Sequence, residues 1–245
     1  MSYNSSFASV YDRFTEDVEY KARAEYIMRL LKTAGANKGI LLDLACGTGS
    51  LSQYFLSAGY DIIAIDNSPD MLSEARKKLG NDALLLCQDM RSIDLYGTVD
   101  AIVCSLDSIN HLTETDYVQS CFNSVSLFTA PGGIFIFDVN TLYKHREILS
   151  GNTFVYESDD AMLVWQNSEC SKNGTVDISI DIFVEQDYPD YSRYSEDFGE
   201  RAYSAAELTA MAQNAGFEVL RILGDMKETT PSEKEERIYF VCRKG

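Results

Sequence analysis

The chain is poor in metal-binding side chains. It has two histidines, and its six cysteines contain no Cys-x-x-Cys pair. So few nitrogen and sulfur ligands predict that there is no metal site. The cysteines stand apart at 46, 87, 104, 121, 170 and 242. Cys46, Cys87, Cys104 and Cys242 lie in or beside apolar strand-like runs, which predicts reduced core thiols in a cytoplasmic protein. Positive charge is scarce as well: 21 Lys and Arg stand against 38 Asp and Glu, a net charge of -17. Nothing in that balance could neutralise a run of phosphates, so nucleic acid is excluded as the main partner. No apolar run reaches membrane length, and the opening Met1-Ser2-Tyr3-Asn4-Ser5-Ser6 is polar, so neither a membrane partner nor a secretory signal is expected.

What is present suits a globular α/β protein. With 245 residues, 45% of them hydrophobic, the chain can bury a sizeable core as one large domain or a domain with a subdomain. Nearly all-apolar runs at 40–44, 60–65, 84–87, 100–104 and 134–137 alternate with helical patterns. Such runs predict parallel strands buried on both faces, with function gathered at their carboxyl ends. That edge carries Asp43 to Gly49, Asp66, Asp89-Met90, Ser105 to Asp107 and Asp138 to Asn140. Helices are expected over two segments within 7–32, with Phe7, Val10, Tyr11 and Phe14 at helical spacing in the first. Another is expected over 118–128, stopped by Pro131-Gly132-Gly133. Ser68 with Pro69, and Ser204-Ala205-Ala206-Glu207, read as helix starts.

After residue 140 the period changes. Val176, Ile178, Ile180, Ile182 and Val184 alternate with polar or outward positions. That is an antiparallel strand with one wet face. Asn173-Gly174 signals a hairpin to a partner strand over 161–166, and 191–203 supplies a further strand. Strands over 217–223 and 237–243 then close the main sheet. The organisation expected is a core of 1–140 and 204–245 with an inserted antiparallel β-meander over 141–203. This insert holds Tyr188, Tyr191, Tyr194, Phe198 and Tyr203 among many acids. It is expected to line an acceptor pocket or to form a homodimer face.

The organising stretch is Leu41-Leu42-Asp43-Leu44-Ala45-Cys46-Gly47-Thr48-Gly49, a strand, a glycine turn and a helix start. Here an α/β fold brings its backbone close to a nucleotide. Asp66 ends the next strand at roughly the 20-residue distance from which a carboxylate reaches both ribose hydroxyls. A dinucleotide fold asks for Gly-x-Gly-x-x-Gly, and here the third position is Ser52. That argues against a dinucleotide-dependent oxidoreductase but leaves it as an alternative.

The set Leu42 to Gly49, Asp66, Asp89-Met90 and Pro131-Gly132-Gly133, in that order, resembles the class I S-adenosylmethionine-dependent methyltransferases. The resemblance covers about 40–140 and 204–245. It implies a Rossmann-like, doubly wound, mostly parallel seven-stranded sheet with S-adenosylmethionine as the cofactor. Val10-Tyr11-Asp12, Glu19-Tyr20-Lys21-Ala22 and the Ser108 to Leu112 stretch resemble glycine N-methyltransferase more closely. The resemblance implies that Tyr11 lies near the reacting sulfonium and Tyr20 near the acceptor. It weakens at Asp107 and nearly vanishes over 141–203.

The cofactor residues expected are therefore Tyr11, Tyr20, Asp43, Ala45, Cys46, Gly47, Gly49, Asp66, Asn67, Met71, Asp89, Met90, Ser105 and Leu106. Asp43 would serve the cofactor amine and Asp89 the adenine amino group. Met71 and Met90 would give soft contact to the ring. Methyl transfer needs alignment and a dry site, and an amine acceptor must also lose a proton. Tyr11, His111 and Asp107 are the candidates for the catalytic work, His111 because its charge changes near neutral pH. The activity expected is methylation of a small-molecule acceptor, with an amine as one candidate. A protein or other macromolecule is the alternative acceptor.

Overall fold

Ile40–Leu44 (β1) has four buried residues in a row, and its side chains alternate between the two faces of the sheet. Leu42 and Leu44 enter one apolar core and Leu41 enters the other. The same division holds along Asp61–Asp66 (β2), Ala83–Cys87 (β3), Val99–Cys104 (β4) and Thr129–Asn140 (β5). Phe217–Gly224 (β10) and Arg237–Lys244 (β11) complete the seven-stranded sheet, in the order β10-β11-β5-β4-β1-β2-β3. Strands β3, β2, β1, β4 and β5 run parallel, and β11 is antiparallel to both of its neighbours.

Helices cover both faces. Tyr20–Ala34 (α1), Ser52–Ser57 (α2) and Pro69–Leu79 (α3) lie on one side, Thr115–Phe128 (α4) and Ala205–Asn214 (α5) on the other. Both predicted caps form. Ser68 Oγ accepts from Met71 N, and Ser204 and Glu207 make both halves of a capping box. The chain order reverses between β1 and β4, so the connections leaving their carboxyl ends diverge and open a crevice there.

This computed structural model describes residues 8, 11–15, 18–158, 160–187 and 190–245. Phe7, Val10 and Tyr188, named in the sequence reading, lie outside the described residues. Asp12–Phe14 forms a short 3-10 turn.

Thr153–Glu157 (β6), Ala161–Asn167 (β7), Thr175–Glu185 (β8) and Tyr191–Arg201 (β9) form a separate antiparallel meander. Val176, Ile178, Ile180 and Ile182 face inward as their alternation predicts. They pack with Leu163, Ala8 and Met71, and Tyr11, Phe14 and Trp165 join from the rim. The inserted sheet thus rests on the N-terminal segment and on the start of α3.

Three details differ from the sequence reading. Asn173-Gly174 ends a seven-residue connection rather than forming a two-residue turn. Ser171 Oγ and Asn173 Oδ1 both accept from Thr175 N, and Gly174 takes φ +87°. Pro131-Gly132-Gly133 lies within β5, where the register with β4 shifts. Strand β6 and a π-helical turn at Lys144–Leu149 were not anticipated. β6 is an edge strand with Val155 and Tyr156 exposed, so it carries no period-two burial signal.

Candidate active site

A cavity of about 270 Å³ opens at the carboxyl ends of β1, β2 and β4. Its wall includes Tyr11, Tyr20, Asp43, Ala45, Cys46, Gly47, Asp66, Asn67, Met71, Asp89, Met90, Ser105, Leu106 and His111, all expected from the sequence. Gly49 and Asp107 do not line it. A Cβ on Gly49 would sit 3.1 Å from Leu79 and 3.2 Å from Ala75, so this glycine lets the loop pack against α3. Gly47 is different. It has φ +54°, and a Cβ there would meet nothing within 4 Å, so its backbone borders open space.

The glycine loop is held from beneath by two carboxylates. Asp66 accepts from Gly47 N at 2.9 Å and from Ser68 N at 2.8 Å, one bond to each oxygen. Burial raises its pKa, and these two N–H groups oppose the rise only in part. Asp43 is 2% exposed and accepts from Ser52 Oγ. Burial pushes its pKa from 3.8 to about 6. Burial also pushes the Cys46 thiol far up, so it stays protonated at neutral pH.

The shift of Asp43 has a sign that can be tested. Its pKa is higher in the folded chain than in the unfolded chain, so the unfolded chain releases the proton first as pH rises. Stability from this group is full below 3.8 and is lost as pH climbs to about 6. Without cofactor, Asp43→Asn is expected to gain on the order of 2–3 kcal/mol relative to wild type at neutral pH. Below the unfolded pKa the two proteins should converge. Thermal melts of both proteins across this range check it, and a pH-independent difference would contradict it.

The far end of the cavity rests on a buried ionic knot that sequence reading missed. Asp138, two residues before the end of β5, has no exposed surface. It accepts from Ser105 Oγ, from Leu106 N at 2.9 Å, from Asp107 N at 3.0 Å and from Arg237 Nη1. Leu106 and Asp107 both take positive φ, at +58° and +54°, a conformation that persists only where several contacts hold it. Arg237 Nη2 also donates to Asp107 at 2.5 Å. Burial alone would raise the Asp107 pKa, but Arg237 and Lys144 hold it well below the usual carboxylate range. Asp107 is therefore a weak base already spent on an ion pair, and its expected role as proton acceptor does not fit this geometry.

At the opposite end, Asp89 is paired with Arg91, whose Nε and Nη2 both reach its carboxylate. This pairing lowers the Asp89 pKa. The Arg91 guanidinium lies 4.7 Å from the centre of the Tyr117 ring. Asp89 lines the cavity as expected, but with this partner in place. Gln88, Arg91 and Tyr117 are lining residues the sequence reading did not name.

The N-terminal segment closes the top. Asp12 accepts from Thr48 Oγ1 at 2.7 Å and pairs with Lys78 at 2.6 Å. Arg13 pairs with Asp160 of the inserted sheet at 2.7 Å. Tyr11 thus directly precedes two anchors, one on the glycine loop and one on the meander.

A strand, glycine turn and acidic strand tip around an open crevice are the parts an S-adenosyl nucleotide needs. The chain belongs to the class I S-adenosylmethionine-dependent methyltransferases. A family model described as "Methyltransferase domain" matches residues 41–133. The Bacillus subtilis (strain 168) protein described as "Putative methyltransferase YqeM" is 34% identical, over 98% of this chain and 96% of its own. A solved S-adenosylmethionine-dependent methyltransferase from Clostridium acetobutylicum ATCC 824 superposes with TM-score 0.88 at 31% identity, covering 98% of both chains. The similarity to glycine N-methyltransferases is also found. A glycine/sarcosine N-methyltransferase of Parasynechococcus marenigrum (strain WH8102) is 38% identical over 41% of this chain and 38% of its own.

The protein is an enzyme, and its cofactor is S-adenosylmethionine. The residues present fit that cofactor, with open space over Gly47 and the buried Asp43 and half-buried Asp66 beside it. The dinucleotide-dependent alternative is set aside. Among the described residues, no helix is long and apolar enough to cross a membrane.

Proposed function

We propose that the enzyme methylates the nitrogen of a small amine. The observation that carries this reading is His111. It lines the cavity beyond Leu106, and its Nδ1 is buried with no hydrogen-bond partner among the described residues. A buried ring nitrogen without a partner is the place for a proton that an acceptor must shed. The surroundings favour a cationic amine. Carboxylate oxygens of Asp107 and Glu200 and a ring nitrogen of His111 lie within 4.8 Å of one another, a negative cluster that a cation, whether an ammonium group or a metal ion, would suit. The N-methyltransferase among the relatives supports the same class of acceptor.

In this reading Asp66 accepts from the ribose hydroxyls and Asp43 attracts the amino group of the methionine moiety. Met71, Met90 and the Arg91–Tyr117 stack enclose the adenine. S-adenosylmethionine supplies an electrophilic methyl on a sulfonium. The protein aligns the acceptor, excludes water with its N-terminal lid and takes the acceptor's proton on His111. With Asp107 committed to Arg237, His111 has that role alone. This reading requires no metal ion. A macromolecular acceptor would have to enter past the anchors at Asp12 and Arg13, which favours a small one.

Transfer of labelled methyl from S-adenosylmethionine to a panel of small amines, amino acids, hydroxylated metabolites and peptides tests the proposal. Labelled N-methyl products are expected in the presence of a chelator. Products confined to hydroxyls or to protein would defeat it. The same assay tests Tyr11, which lines the cavity and which this reading sets near the sulfonium, where an electron-rich ring favours the cation. Contacts that matter most during transfer affect rate more than binding. Tyr11→Phe is expected to bind S-adenosylhomocysteine nearly as well as wild type but to turn over about tenfold more slowly. Tyr11→Ala should lose both. A Phe variant with unchanged turnover would mean that the tyrosine only packs.

A further inference from the structure

Both histidines of the chain meet one buried carboxylate. Glu200, from the last strand of the inserted sheet, is 3% exposed. Its Oε1 lies 3.8 Å from His111 Nε2 and its Oε2 lies 3.7 Å from His145 Nε2. Asn140 Nδ2 donates to the same Oε2 at 3.4 Å. His145 is fully buried in the π-helical turn after β5, and its Nδ1 is 2.9 Å from the Gly174 carbonyl. A buried carboxylate persists only where it is paired or hydrogen-bonded. Here an amide donates to it and two imidazoles lie within 4 Å, His111 from the segment after β4 and Asn140 and His145 from the end of β5 and the turn that follows.

We propose that Glu200 is a positioning residue for methyl transfer, holding the His111 ring with Nε2–H toward the carboxylate and leaving Nδ1 as the bare nitrogen that accepts the proton. Asn140 donates to the other carboxylate oxygen, and His145 Nε2 lies 3.7 Å from it, too far for a hydrogen bond. The logic is that of any base oriented by a third group: the partner on one ring nitrogen sets which nitrogen carries the lone pair. His111 also packs against Phe198, two residues before Glu200 on the same strand, with ring centres 5.1 Å apart. The meander thus contacts the proton acceptor twice, through a ring and through a carboxylate. Its part in the site is then to orient a core residue, since its own residues do not line the cavity. The proposal rests on His111 being the proton acceptor.

Histidine labelled with ¹⁵N in the ring gives two spin systems in the full-length protein, so tautomers can be read directly in mildly alkaline buffer. Wild type is expected to show His111 protonated at Nε2 with Nδ1 bare. Glu200→Gln is expected to shift His111 toward a mixture of tautomers while S-adenosylhomocysteine binds within about twofold of wild type. With methylamine or glycine as probe acceptor, the same variant should lose at least about tenfold in kcat with little change in KM for S-adenosylmethionine. Wild-type His111 protonated at Nδ1 would overturn the proposal, and that reading needs no variant. So would a tautomer insensitive to Glu200→Gln. Activity abolished by chelation and restored by a divalent ion would replace positioning by metal ligation. Failure of wild type to methylate any amine, with the expected tautomer present, would instead count against the amine reading alone.

Discussion

Replacing Asp66 by Ala is expected to weaken S-adenosylhomocysteine binding by a factor on the order of 100 or more, the largest binding effect of any single change in this site. Two ribose hydroxyls would lose a charged acceptor in a buried setting, at about 1.5–3 kcal/mol for each hydrogen bond. A second loss adds to the first. The same carboxylate accepts from Gly47 N and Ser68 N, so its removal releases both the glycine turn and the cap of α3. Asp66→Asn separates the two contributions. The amide can still accept a hydrogen bond at one position but offers a donor where the second acceptor stood, so it should fall between wild type and Ala. Isothermal calorimetry with S-adenosylhomocysteine measures all three proteins. Affinity in the Ala variant within about threefold of wild type would remove Asp66 from the ribose site, because even one lost charged hydrogen bond exceeds that.

The second large effect concerns Arg237, and it falls on the fold. Its guanidinium is nearly buried and bonds to both Asp138 and Asp107. Arg237→Met keeps the volume but leaves two carboxylates without their cation. Breaking a buried pair by removing one partner costs about 3–5 kcal/mol, because the remaining charge stays uncompensated. Leu106 and Asp107 would also lose part of what holds them at positive φ, so the cavity end should loosen with the fold. Urea unfolding should show that loss, and S-adenosylhomocysteine affinity should fall with it. A change below about 1 kcal/mol would mean that Asp138 alone organises this end. The triple change Arg237→Met, Asp138→Asn, Asp107→Asn should recover part of the stability, because no charge then remains buried alone.

The parts of this site legible in the sequence are those encoded by neighbours in the chain. β1, β2 and β4 read as strands because they are apolar on both faces. Asp66 and Ser68 read as they do because a strand tip and a helix cap are local events. The residues that sequence reading missed act across long separations. Arg237 reaches Asp138 over 99 positions and Asp107 over 130. That contact exists because β11 returns antiparallel beside β5, with Tyr239 opposite Asp138 and Arg237 opposite Asn140. Nothing in the spacing of an acid and a base so far apart announces the pair. Glu200 was equally hidden, one acid among many in the insert, until β9 placed it against both histidines. Asp107 shows the opposite error. Its place at a strand end suggested catalysis, yet the partner that occupies it lies near the other end of the chain. The N-terminal lid was legible in outline through Tyr11, but its anchors at Lys78 and Asp160 follow from packing alone.

A crystal structure of the complex with S-adenosylhomocysteine tests the central claim most directly. The account predicts ribose hydroxyls on Asp66, adenine between Met71, Met90 and the Arg91 side, and sulfur in contact with the Tyr11 ring. It also predicts clear space from that sulfur toward His111 Nδ1. A sulfur distant from Tyr11 beneath an ordered lid, or an acceptor path leading away from His111, would contradict it.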